Sequence, residues 1–195
     1  NQTFAQFANL RYRLLKKFSH EIADRWTLEP MSAKIEIELR GETNVEALID
    51  LAKSYFSRAI DTEKLLHITN PRNYDIMLFI AVSQTIAKQD EPTIRENLIE
   101  RYGVSLAHAV PFAKFNYQLD QILSSANLVK IAHVVDRNGA PFRIIAEAAS
   151  DDPKIADHLL DEKQFLGPFD AAIYKTYTMV HKNINRGIIR SVAFL

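Results

Sequence analysis

The chain of 195 residues contains no cysteine. That excludes disulfide staples and thiolate metal sites, and it fits a reducing, cytoplasmic setting. Glycine is scarce, at five, and proline is held to seven. Long flexible linkers and a phosphate-cradling glycine loop are therefore missing. No apolar run approaches the ~20 residues that cross a bilayer, so a membrane partner is not expected. Residues 1–10 show no basic flank leading into an apolar block, the mark of a secretory signal. Nor is there an excess of charge: 24 basic residues face 24 acidic ones, whereas a general polyanion binder would be basic.

What is present is ordinary globular composition, 47% hydrophobic and 25% charged. A chain this long buries most of the apolar surface it exposes when unfolded. The expectation is a single globular domain over 1–195, with 1–30 as an N-terminal helical appendage and 188–195 as an apolar C-terminal tail. Charge is unevenly spread. Residues 1–25 and 171–195 are basic, the latter through Lys175, Lys182, Arg186 and Arg190 with no acid. Residues 147–162 hold six acids against Lys154 alone. Solvated helix faces explain this most simply; basic ends meeting the acidic stretch or a polyanion are the alternative.

Helical spacing of apolar residues predicts a first helix from Thr3 to Arg25, with Arg11 on its apolar face and obliged to snorkel or pair. Ala33 to Arg40 alternates apolar and charged residues, which predicts a half-buried strand ended by Gly41. Thr43 and Glu46 form a capping box for a helix reaching Ile60, striped by Val45, Leu48, Ile49, Ala52, Tyr55, Phe56 and Ala59. Asn73 is placed to cap a helix that is apolar nearly all round from Ile76 to Ala87 and so belongs at the centre. Asp90 caps the next helix, with Gly103 just past its end. Asp152-Pro153 and Gly167-Pro168 open two more.

Residues 129–147 read as a hairpin turning at Asn138-Gly139. That register puts Ile131, His133 and Val135 on one buried face, opposite Ala146, Ile144 and Phe142. The fold expected is therefore mainly α, six to seven helices, with a small antiparallel β-sheet from 33–40 and the hairpin at 129–147. The core is the helix at 74–88, wrapped by those at 44–60, 92–102 and 168–185. A helix, the turn at Gly103, a second helix opening at Ser105 and the hairpin make 74–147 a candidate winged-helix-like substructure. Pro111 opposes it, because it would kink a helix begun at Ser105.

No catalytic, cofactor or metal signature stands out. The six histidines are scattered without zinc-ligand spacing, and His133 reads as a core residue. Asp151-Asp152 and Asp90-Glu91 read as helix caps. The leading expectation is a non-enzymatic protein that assembles with itself or other proteins. Its surface would be the C-terminal helix and tail: Tyr174, Tyr177, His181, Arg186, Ile188, Ile189 and Phe194. The alternative is a DNA-binding regulator or packaging-type factor, touching nucleic acid through His108, Lys114, Arg137 and Arg143. The spacing Arg101 to His108, repeated at Arg13 to His20, resembles the Arg-x(4–6)-His pattern of HEPN-type ribonucleases. The resemblance implies metal-independent RNA cleavage, with His as acid or base and Arg on the phosphate. Here an apolar or aromatic residue, Tyr102 or Leu14, follows the Arg where those families carry a polar one.

Overall fold

In the computed structural model, residues 2–40, 45–60 and 70–151 are described. They form α1 (Gln2–Leu14), α2 (His20–Arg40), α3 (Val45–Ala59), α4 (Pro71–Thr85), α5 (Glu91–Arg101), α6 (Ala109–Leu123), α7 (Ala126–Asn138) and α8 (Ala140–Asp151). No strand occurs among the described residues.

The expected centre is in place. Residues Ile76 to Ser83 of α4 are buried on every side, and α4 packs against α3, α5, α6 and α7. Each large apolar side chain so buried contributes about 1.5–3 kcal/mol. The remaining pairs are α1 on α2 and α6, α2 on α5, α3 on α8, and α7 on α8. Phe142 of α8 sits 5.7 Å from Phe56 and 5.5 Å from Tyr55 (ring centroids), which pins α8 to α3.

Local chemistry sets the ends. Asn70, rather than Asn73, caps α4, its side chain accepting from the Arg72 and Asn73 amides with Pro71 in the first turn. Asp90 caps α5 through the Thr93 amide at 3.1 Å, and Ser125 caps α7 through Leu128. At the far end of α5 Gly103 takes φ +58°. The Gly103 amide reaches the Glu100 carbonyl and the Val104 amide the Ile99 carbonyl, the paired bonds of a Schellman motif.

The sheet is overturned at both places. The predicted strand 33–40 is the end of α2. Ala33 is buried and Lys34 turns toward α5, whereas Ile35, Ile37 and Leu39 face out. The run is rich in Lys, Glu, Ala and Arg, strong helix formers. α2 even continues through Pro30, which ordinarily costs about 3 kcal/mol inside a helix. Burial of Trp26, Thr27 and Ala33 around it offsets that. The break falls earlier. α1 stops at Leu14, the Ser19 hydroxyl accepts from the Ile22 amide, and Phe18 meets Trp26 edge-on at 5.0 Å.

The predicted hairpin 129–147 is α7 and α8. Leu128, Ile131 and Val135 go inward, a helical spacing, and His133 is exposed rather than a core residue. Gly139 is not in a hairpin turn. Its φ is −86°, and a Cβ there would lie 2.5 Å from the Val135 carbonyl oxygen and 3.4 Å from Ile86. It is glycine because a side chain at the end of α7 would run into that helix's own Val135 carbonyl, with Ile86 in van der Waals contact beside it.

With the hairpin goes the winged-helix-like substructure at 74–147. The second helix opens at Ala109, not Ser105, leaving seven residues, 102–108, between α5 and α6. Pro111 lies in the first turn of α6, where a missing N–H leaves no helical bond unmade. The helices expected after Asp152 and over 168–185, the capping box at Thr43 and the tail 188–195 lie outside the described residues.

Candidate functional site

α5 is where the charged chemistry collects. Its sequence, EPTIRENLIER, buries Ile94, Leu98 and Ile99 with the charged Arg95 and Glu96 beside them. Three polar clusters result.

The first is closed. Arg95 is 1% exposed. Its guanidinium donates to Asn116 Oδ1 at 2.8 Å, Glu91 at 2.8 Å and Asp120 at 2.7 Å, and among the described residues its Nε has no acceptor. Asp120 also accepts from Arg25 at 2.7 Å and from the Trp26 indole at 3.0 Å. The Asn116 amide donates on to the Phe112 carbonyl. α2, α5 and α6 are thereby tied at one point, with two guanidinium groups on one carboxylate.

The second cluster is open. Lys34 of α2 donates to Glu96 at 2.9 Å and to Glu100 at 3.2 Å. Around them lies a cleft of about 570 Å³ lined by Lys34, Ile37, Glu38, Glu46, Glu96, Asn97 and Glu100. Helical spacing builds it: Lys34, Ile37 and Glu38 share one face of α2, and Glu96 and Glu100 one face of α5. Burial raises the Glu96 pKa, reinforced by the Glu100 and Glu38 charges and opposed by Lys34. Burial works to lower Lys34, but its bonds to Glu96 and Glu100 outweigh that and raise it. The two directions agree, because Lys34 sees two bonded carboxylates while Glu96 sees one ammonium and further negative charge.

The third cluster joins α3, α4 and the end of α5. Asp75 accepts from Lys53 and from the Tyr102 hydroxyl, each at 2.5 Å. Burial pushes Asp75 up, but these two bonds outweigh it and hold its pKa below the ordinary value. Burial, then the Asp75 bond, raises Tyr102, so the phenol keeps its proton. Arg101 pairs with Asp50 and lies 5.2 Å over the Phe79 ring.

The residues singled out from sequence are not gathered. His108 stands exposed ahead of α6 with no side-chain cap bond, and Lys114 is exposed on α6. Arg137 is exposed at the end of α7, and Arg143 of α8 pairs with Asp136 at 2.8 Å. Arg101 is engaged by α3 and α4, whereas the loop before His108 is held from α1, where Arg13 donates to the Ala107 carbonyl at 2.8 Å. Arg11 pairs as expected, with Asp24 at 2.6 Å. Tyr174, Tyr177, His181, Arg186, Ile188, Ile189 and Phe194 lie outside the described residues. The residues that do converge, Arg95, Glu96, Lys34 and Asp120, carry no sequence motif. The available signal was charge at 95 and 96 between the apolar positions 94, 98 and 99.

Among the described residues no helix is long and apolar enough to cross a membrane. No protein-family model, no curated protein and no solved structure matches the chain.

Proposed function

We propose that the protein is a non-enzymatic helical module that acts by associating with other protein chains, copies of itself first. The observation that carries this reading is the outer face of α6. Val110 and Tyr117, seven residues apart and 72% and 59% exposed, stand on one side of the helix with exposed Lys114 between them. α1, packed against α6, turns Phe4 and Tyr12 outward as well. Single exposed apolar side chains are ordinary, but an aliphatic and an aromatic side chain recurring on one helix face suit a protein interface. The aromatic and apolar residues of 174–194 would extend the same capacity.

The engaged state of the charged groups supports the same reading. Arg95, Arg101 and Arg143 are each spent on an internal carboxylate, so they serve the fold's geometry before any ligand.

Light scattering over a concentration series tests it. The full chain should exceed the monomer mass, and Tyr117→Asp or removal of 188–195 should lower that mass without changing the circular dichroism spectrum. A monomer at every concentration, before and after these changes, would refute the proposal.

A further inference from the structure

The open cleft between α2, α3 and α5 carries a ligand chemistry of its own. Four carboxylates, Glu38, Glu46, Glu96 and Glu100, line it against the single ammonium of Lys34. Lys34 is already committed to Glu96 Oε1 and Glu100 Oε2. Glu38 and Glu46 are exposed and form no ion pair with the described residues.

Glu96 adds the second observation. It is 3% exposed and lines the cleft, and its buried Oε2 has no hydrogen-bond partner among the described residues. A buried carboxylate oxygen without a donor carries an uncompensated desolvation cost. Beside a cleft, a group left in that state has room for a partner. The missing partner is a donor, and the surrounding charge says it is positive.

The arrangement also selects the kind of cation. Among the described residues no three acidic or histidine side chains converge closely enough to hold a metal ion. The carboxylates are instead spread along the wall of a cleft of about 570 Å³, with Ile37 between Lys34 and Glu38 as an apolar surface. Spread negative charge beside an apolar strip fits a cation on a carbon stem, whose methylenes lie on the apolar part while its head reaches a carboxylate. A compact, strongly hydrated divalent ion would gain little there.

We propose that this cleft binds an organic cation, a primary ammonium or guanidinium group on an alkyl chain, with Glu96 Oε2 as its buried acceptor and Glu38 and Glu46 as outer ones. A free polyamine and a basic peptide side chain carry the same chemistry, and the experiment separates them. The full chain is titrated calorimetrically with spermidine, with a capped peptide containing two arginines, and with magnesium chloride at matched ionic strength.

The expected result is saturable binding of one or both organic probes, with magnesium giving none. Spermidine alone would assign a small-molecule ligand, and the peptide alone a basic segment of a protein. The double variant Glu38→Gln/Glu46→Gln, altered only at exposed and unpaired positions, should weaken binding about tenfold. Glu96→Gln should weaken it further if its thermal unfolding remains cooperative. Glu21→Gln, on the opposite end of α2, should bind as the parent does. The proposal is overturned if neither organic probe saturates at millimolar concentration, if magnesium competes equally at matched ionic strength, or if the double variant binds unchanged. The double variant keeps the test valid should Glu96→Gln fail to fold.

Discussion

Arg95 and Glu96 are neighbours on one helix, both charged and both almost wholly removed from water, yet they meet opposite treatment. Arg95 points into a junction of three helices and finds three acceptors. Glu96 borders a cleft and finds one donor. A helix turns 100° per residue, so consecutive positions point in different directions, and here they meet different neighbours. Burial alone therefore says little about a charged residue's role. A buried charge held by acceptors on two helices fixes the relative placement of elements, and one with an oxygen left over at a cleft marks unfinished binding chemistry.

The sharpest way to break this contrast is to remove each charge in turn. Arg95→Met keeps the length of the side chain and leaves Asn116 without its donor and Asp120 with Arg25 and Trp26 only. Taking one member from a buried ionic network costs about 3–5 kcal/mol, a large share of the 5–15 kcal/mol that holds a typical domain together. Urea unfolding should show that loss with the slope unchanged. A loss below about 1 kcal/mol would mean the guanidinium is stabilised by water rather than by its acceptors.

Gly103 offers an effect of intermediate size that should leave both faces of α5 alike. Its φ of +58° is the left-handed conformation that closes the helix, and a Cβ would meet nothing within 4 Å. Gly103→Ala should therefore cost only the backbone penalty, roughly 1–2 kcal/mol, with no steric addition. Gly139 is the counterpart: its φ is ordinary, and its Cβ would strike the Val135 carbonyl. If Gly103→Ala proved the more damaging of the two, the reading of both glycines would be reversed.

How much of this was written in the chain follows from which residues had competing explanations. The all-apolar run from Ile76 to Val82 allowed only a central helix, and it is one. Asp90 with Pro92, and Gly103 after Arg101, carried their cap chemistry locally, so α5 was legible at both ends. Residues 33–40 failed because strong helix formers outweigh their alternation, with Ile35, Ile37 and Leu39 left exposed, and 129–147 failed because alternate positions look like a strand when helical neighbours 3 and 4 apart are apolar too. His133 was the deciding residue, buried under period two and exposed under period 3.6. Asn138-Gly139 looked like a hairpin turn, but glycine at 139 answers to the Val135 carbonyl one helical turn back, a clash that exists only once 126–138 is helical. The site was the least legible part. Arg95–Asp120, Arg25–Asp120 and Lys34–Glu96 join residues 25, 95 and 62 positions apart, and no local pattern announces such pairs.

The smallest effect is the most discriminating, because its signature lies in the pH profile rather than in the size of the loss. Glu96→Gln retains the shape of the side chain and an oxygen for Lys34, which also keeps Glu100, while it removes a buried negative charge. Stability at neutral pH should change by less than about 1 kcal/mol, in either direction, since replacing a buried ionic partner can be neutral or favourable. The pH profile carries the signature. A carboxyl whose pKa is raised on folding binds its proton more tightly in the native state, so it costs stability as pH rises above its ordinary value of 4.5. Glu96→Gln should remove that decline. Asp75 works the other way: its pKa is lowered from 3.8, so its contribution is present above that value and fades as pH falls through the lowered one. That acid limb should be the same in the parent and in Glu96→Gln. Lys34, raised above 10.5, contributes throughout the neutral range and loses its contribution only in strong alkali. Chemical unfolding measured from acid to neutral pH therefore separates the two carboxyls, one on each side of the ordinary carboxylate range. If the parent and Glu96→Gln gave parallel curves above pH 4.5, the Glu96 carboxylate would be no more costly folded than unfolded, and the unsatisfied side of α5 would be as complete as the side that holds Arg95.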